Sequence, residues 1–146
     1  MPAHKDLEPV LTAAEVNRLL GEVFPELNRD HHAYEAVEVF PGGCTVRLYA
    51  NHRHLRPGGT VSGPSLFTLA DIGGYVCVLS HAGPDALSVT TSLNINFMRK
   101  ATEGIVDGHC RILKLGRSLM VYDIDMVAGG STVAHATGTY SIPPKR

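Results

Sequence analysis

The sequence predicts an α+β domain in which an antiparallel sheet of about six strands wraps one long buried helix. Two observations carry that expectation. The run at residues 64–82 is apolar almost all round, and six other segments alternate apolar with polar residues between glycine-containing turns. A chain of 146 residues suits one domain with its own core, so a single unit over 1–146 is expected, with 1–30 as a helical extension at the N-terminus.

In chain order, Thr12 offers an N-cap and Glu15, three residues on, completes a capping box. Val16, Leu19, Leu20 and Val23 then recur at helical spacing, which predicts an amphipathic helix. From Tyr34 the stretch "YEAVEVFPGGCTVRLYA" alternates and is split by Pro41-Gly42-Gly43, the pattern of a two-strand hairpin. The loop "NHRHLRPGGTVSG" leads into the long helix, which Gly83-Pro84-Asp85 breaks. Four strands follow, "ALSVTTSLNINFM", "GIVDGHCRILKLG", "SLMVYDIDMVAGG" and "STVAHATGTYSI", and they read as an antiparallel meander.

Within the long helix, Leu66, Leu69, Ala70, Gly73, Val76 and Cys77 share one face. Phe67, Gly74, Tyr75 and Val78 share the face that also carries Asp71, the one acidic residue of the run. Both faces look dry. Burying an unpaired carboxylate costs several kcal/mol, so Asp71 must be paired, hydrogen-bonded or kept for chemistry.

Thirteen Lys+Arg against 14 Asp+Glu, with no block of like charge and a pI near 6.7, exclude an electrostatic footprint for nucleic acid or an anionic membrane. Asp71, the Gly73-Gly74 pair and several hydroxyls make the apolar run a core helix rather than a membrane span. Cys44, Cys77 and Cys110 are an odd count without a CxxC or a secretory leader, which fits a reducing cytoplasm and no disulfide framework. Their equal spacing of 33 reads as accidental, because the flanks share no pattern, and no base stands beside any of them to make a thiol nucleophile. His52-x-His54 would put two rings on one side of a strand, but no third ligand of matching spacing follows and no metal is expected. His31-His32 reads as loop; His109 and His135 read as strand residues of a core or interface.

The order of elements, with "GGTVSGPSLFTLAD" entering the helix and "LNINFMRKA" on the next strand, resembles the hotdog-fold acyl-CoA thioesterases of the phenylacetate-degradation (PaaI-like) type, over roughly residues 34–142. Family members read N-x-x-G-x-x-H-G-G, with the catalytic acid seven residues on. Here the frame is Arg56, Gly59, Ser62, Gly63, Pro64 and Asp71, so the acid and the first glycine of the pair are kept while Asn, His and the second glycine are replaced. Counting back from "LNINF", the family's water-orienting serine falls on Thr90.

The resemblance implies a hotdog fold that hydrolyses an acyl-CoA thioester to acid and coenzyme A without metal or redox cofactor. It implies a homodimer or dimer of dimers, the turn of one subunit meeting the acid of another. Asp71 would be base or nucleophile, Gly63 the oxyanion donor, Ser62 and Arg56 substrate contacts, and Tyr75 part of the acyl pocket. Arg99, Lys100 and Arg117 would meet the coenzyme A phosphates. A backbone N–H at a helix start is physically suited to an oxyanion, and proline is compatible with the next position.

Blander readings stand beside these. Ser62 reads equally as a helix N-cap, Arg56 as a carboxylate partner, Asp71 as an acid satisfied by backbone donors or Arg56, and the other cations as solvated strand-end charge. Two other functions share the frame: a hydratase or dehydratase pairing Asp71 with His109 or His135, and a hotdog that binds acyl-CoA without turning it over.

Overall fold

Thr12 starts the first helix as the capping box predicts: its hydroxyl accepts the Glu15 N–H at 3.2 Å, and Glu15 Oε1 accepts the Thr12 N–H at 2.9 Å. The computed structural model describes residues 7–29, 31–84 and 87–144. The capped helix, α1 (Ala13–Val23), buries Val16 and Leu20, and Asn17 clamps Ala36 through both of its backbone groups at 2.8 Å.

Strands β1 (Tyr34–Phe40) and β2 (Gly43–Ala50) form the expected hairpin, and Gly42 takes the positive φ of the turn. The long helix α2 (Gly63–Ala82) precedes β3 (Val89–Phe97), β4 (Gly104–Leu115), β5 (Leu119–Ala128) and β6 (Ser131–Ser141). All six strands join one antiparallel sheet in the order β1-β2-β4-β5-β6-β3.

The four-strand meander needs correcting. Only β4, β5 and β6 are consecutive neighbours; β3 lies beyond β6, paired from Val89↔Ser141 to Phe97↔Ala134. The edge of β4 that a meander would give to β3 is taken by β2, from Gly43↔Arg111 to Ala50↔Gly104. Alternation fixes a strand's two faces but not which edge it joins.

The sheet curls over α2, and glycines set the closeness of that contact. A Cβ on Gly74 would come within 2.3 Å of the Tyr122 ring and one on Gly138 within 2.7 Å, so the ring lies between helix and sheet only because both are glycine. Its hydroxyl donates to the Ala70 carbonyl at 2.9 Å. Cys44, Cys77 and Cys110 also meet under the helix, although their spacing predicted no relation between them.

Burial of α2 is less complete than its composition predicts. Pro64, Phe67, Thr68, Asp71 and Tyr75, at i, i+3 and i+4 spacing, form an open or half-open stripe, with Phe67 42% exposed. Nearby, β3 hydrogen-bonds to β6 along one edge only, and Val89, Phe97 and Met98 are each more than half exposed. Among the described residues α2 is the one helix long and apolar enough to cross a bilayer, yet 78% of its apolar window is buried, as in a core helix.

Candidate active site

Asp71 faces the end of the β3–β6 ladder, where Thr90 and Tyr140 are register partners. The Thr90 hydroxyl donates to Asp71 Oδ1 at 2.5 Å. Tyr140 donates to the same oxygen and to the Asp71 carbonyl, each at 2.8 Å. Burial, followed by the nearby Asp71 charge, raises the Tyr140 pKa far above the usual tyrosine range, so its hydroxyl stays a donor. A register shift between Thr90 and Ser92 sits beside this rung, a device that re-aims side chains next to sites. No described residue donates to Asp71 Oδ2. Among the described residues the carboxylate is thus held by one oxygen and open at the other.

Thr90, which the family frame singled out, is thus the strand residue that meets Asp71. Tyr140 was missed. The signal was present: alternation in "AHATGTYS" puts Tyr140 on the inward row with Ala136 and Gly138, where a phenol needs a hydrogen-bond partner. Tyr75, one turn after Asp71, stacks on Tyr140 with ring centroids 6.1 Å apart and planes 17° from parallel.

At the other end of the stripe, Ser62 is the N-cap of α2, accepting the Ser65 N–H at 3.3 Å and meeting the Ser65 hydroxyl at 2.9 Å. Its hydroxyl thus does the work of a cap. Gly63 is the first helical residue, and its N–H meets no acceptor among the described residues. It lines a cavity of about 290 Å³ with Arg56, Leu66, Phe97, Arg99 and Lys100. The turn before it is tight: Gly58 and Gly59 both have positive φ, and Arg56 donates its N–H to the Thr60 carbonyl at 2.8 Å. Arg56 is exposed and forms no ion pair with Asp71, whose partners are the two hydroxyls.

Within one chain the structure does not bring every expected residue together. Eight residues at about 1.5 Å of rise put Gly63 and Asp71 about 12 Å apart along α2, too far for both to touch one carbonyl group. Arg117 is farther away, in a different cavity of about 960 Å³ with His81, Leu115 and Ile142, near the C-terminal end of α2. About 27 Å of helix separates that end from Gly63, so Arg117 does not join Arg99 and Lys100 within the chain.

The histidines lie elsewhere. His109 pairs with Thr45 at 3.2 Å and His135 with Asp123 at 3.2 Å, on strand positions that alternate with the buried row facing α2. Neither is a proton-transfer partner for Asp71 of the same chain. His52 to His54 form a 3₁₀ turn rather than a strand, and His54 is buried against His31 and Tyr34.

Comparison with known proteins identifies the family. The family model described as Thioesterase superfamily matches residues 58–135, which hold Gly63, Asp71, Thr90, Arg99 and Lys100. The chain belongs to the thioesterase superfamily. A crystal structure of a "putative thioesterase" from Silicibacter sp. TM1040 is 45% identical, with a TM-score of 0.84 over 94% of this chain and 96% of that one. A "putative esterase" of Saccharolobus solfataricus is 30% identical over 95% of this chain and 91% of its own length. A "putative thioesterase, phenylacetic acid degradation-related protein" from Ralstonia eutropha JMP134 is 27% identical, with a TM-score of 0.68 over 75% of this chain and 83% of that one. The six-stranded sheet around a central helix is the hotdog fold, here with an added N-terminal helix. In this thioesterase-superfamily chain the acid, the helix-start glycine and the hydroxyl on the following strand all lie on or beside the open stripe of α2.

Proposed function

We propose that the protein hydrolyses acyl-CoA thioesters to the free acid and coenzyme A, as a homodimer that shares its sites across α2. The observation that carries this reading is the carboxylate of Asp71, pinned at Oδ1 by Thr90 and Tyr140, on a helix whose first N–H, like Asp71 Oδ2, has no partner among the described residues. Thioester hydrolysis needs a base or nucleophile at the carbonyl carbon and donors at the oxygen that becomes negative. One chain holds both parts about 12 Å apart. A second copy, its helix antiparallel to the first, sets Gly63 of one against Asp71 of the other, and the exposed apolar residues of β3 become buried at the same time.

In that arrangement the Gly63 N–H and the positive end of α2 take the thioester oxygen, while Asp71 attacks the carbonyl or draws the proton from the attacking water. The thiolate leaves, and water supplies the hydroxyl of the acid. Arg56, Arg99 and Lys100 around the same cavity suit the phosphates of coenzyme A, and Tyr75 borders the acyl group. Water is the co-substrate, so the step calls for neither a metal nor a redox cofactor. The hydratase alternative loses support, because Ser62 is committed to its cap and both strand histidines lie on the far side of the sheet.

The test is thiol release from short, aromatic and long acyl-CoAs and from the matching pantetheine thioesters, which lack the nucleotide phosphates. Native protein turns over at least one acyl-CoA and Asp71→Asn loses that turnover while staying folded. Replacing Arg99 and Lys100 by Ala raises KM for the acyl-CoA but not for the pantetheine thioester. Binding of acyl-CoA without turnover by the native protein would make it a binding module instead.

A further inference from the structure

Cys44 of β2, Cys77 of α2 and Cys110 of β4 converge in the core. Their sulfurs all lie within 4.8 Å of one another, and the Sγ atoms of Cys44 and Cys77 are 3.4 Å apart. All three are free thiols with at most 2% exposure. The backbone builds this cluster. Cys44 and Cys110 are direct partners across the β2–β4 ladder, and Gly73 on α2 leaves the space that Cys110 fills: a Cβ there would stand 2.4 Å from Cys110 Sγ.

One buried cysteine is a small apolar filler. Three sulfurs aimed at one point are a ligand set, and thiolates select soft acceptors. Their spacing is near that of a single centre. An atom about 2.3 Å from each of three sulfurs, the length of a zinc–thiolate bond, spans a sulfur triangle with sides of at most about 4.0 Å. The observed separations start at 3.4 Å and end within 4.8 Å, so the wider contacts must close by less than about 1 Å when the centre is bound.

Charge then selects the occupant. Three thiolates around a monovalent ion leave two net negative charges, and around a divalent ion one. Val46 and Ile124 pack beside the cluster, and no Lys or Arg is among the buried described residues. The buried ring of His81, one turn after Cys77, uses Nε2 to accept the Gly42 N–H at 3.1 Å, which keeps it neutral, so a net charge there would have no cation to pair with. A trivalent centre leaves none.

We propose that Cys44, Cys77 and Cys110 form a binding site for one trivalent thiophilic metalloid of the arsenite class, held as a neutral tris-thiolate in the core. With the metalloid written E, its uncharged hydroxide reacts as E(OH)₃ + 3 RSH → E(SR)₃ + 3 H₂O. Three E–O and three S–H bonds break, three E–S and three O–H bonds form, and no oxidation state changes. His81, one turn after Cys77, lines the 960 Å³ cavity at the C-terminal end of α2. The site is separate from Asp71 and does not depend on the thioesterase reading.

Reduced full-length protein, titrated with arsenite, tests this by native mass spectrometry and arsenic-edge X-ray absorption. The expected result is one arsenic per chain with loss of three hydrogens, a shell of three sulfurs, and loss of the adduct in Cys77→Ala and in Cys110→Ala. Circular dichroism checks the fold of each variant, and Cys110→Val, which keeps core volume, replaces one that fails to fold. No adduct on the native protein, an adduct that survives removal of Cys110, or preferential uptake of zinc or copper(I) when these are offered alongside arsenite would each overturn the proposal.

Discussion

Thr90 and Tyr140 face each other across the β3–β6 ladder and both donate to one atom, Asp71 Oδ1, at 2.5 and 2.8 Å. Two donors on one oxygen fix the rotamer of the carboxylate and leave the other oxygen without a donor among the described residues. A hydrogen bond to a charged group contributes about 1.5 to 3 kcal/mol, which corresponds to roughly 10-fold to 150-fold in rate if it is lost in the transition state. Tyr140→Phe is therefore expected to lower kcat by that factor with KM little changed, measured by thiol release. Thr90→Ser should keep most of the rate and Thr90→Val should not. An unchanged kcat in Tyr140→Phe would reduce Tyr140 to a packing residue.

Gly63 allows its backbone donor to be tested directly. It has no positive φ, and a Cβ there would make only an ordinary 3.4 Å contact with the Phe97 ring, so Gly63→Ala should fold and keep the N–H. Gly63→Pro removes the N–H at a helix position that proline favours, and Ser62 already has the extended backbone that proline requires before it. Loss of one oxyanion donor costs about 100-fold to 1000-fold in kcat. Steady-state kinetics should show that loss for proline and a far smaller one for alanine; equal losses would mean that the N–H is not the donor.

What the sequence made legible was local. The Thr12 and Glu15 capping box, the hairpin around Gly42 and the frame from Gly59 to Asp71 depend on neighbours within a few residues, and each lies where it was expected. The position of β3 depends on β2 having taken the edge of β4, a competition between segments about 50 residues apart that alternation does not record. For the same reason the thiol cluster was invisible: it needs the Cys44↔Cys110 register and the missing side chain of Gly73 together. Arg117 shows the converse, a cation grouped with Arg99 and Lys100 by resemblance and placed by the fold at the other end of α2.

Phe67 is the midpoint between Gly63 and Asp71. A two-fold axis that sets residue 63 of one helix against 71 of another must pass beside residue 67 of both, and Phe67 is 42% exposed in the single chain. Phe67→Glu would place two like charges at that axis. Sedimentation should show the native protein as a dimer or larger assembly and the variant as a monomer, with kcat/KM reduced at least about 100-fold, the cost of losing even one oxyanion donor. A native protein that is monomeric and active would rule out the shared site.

His54 gives the fold a pH dependence of its own. Its ring is buried against His31 and Tyr34, and Nδ1 accepts the Asn51 N–H at 3.0 Å. Burial, then the neighbouring His31 charge, pulls its pKa below the usual 6.5, so the folded chain takes up that proton less readily than the unfolded chain. Above about pH 6.5 both states are neutral and the full stability is present. As pH falls below that value the unfolded state is protonated first, and stability is lost until the folded ring also accepts its proton. The urea midpoint should therefore fall as the solution is acidified from about pH 6.5. His54→Asn, which keeps an acceptor near the Nδ1 position and does not titrate, should flatten the dependence just below that pH; an unchanged slope would assign it to other groups.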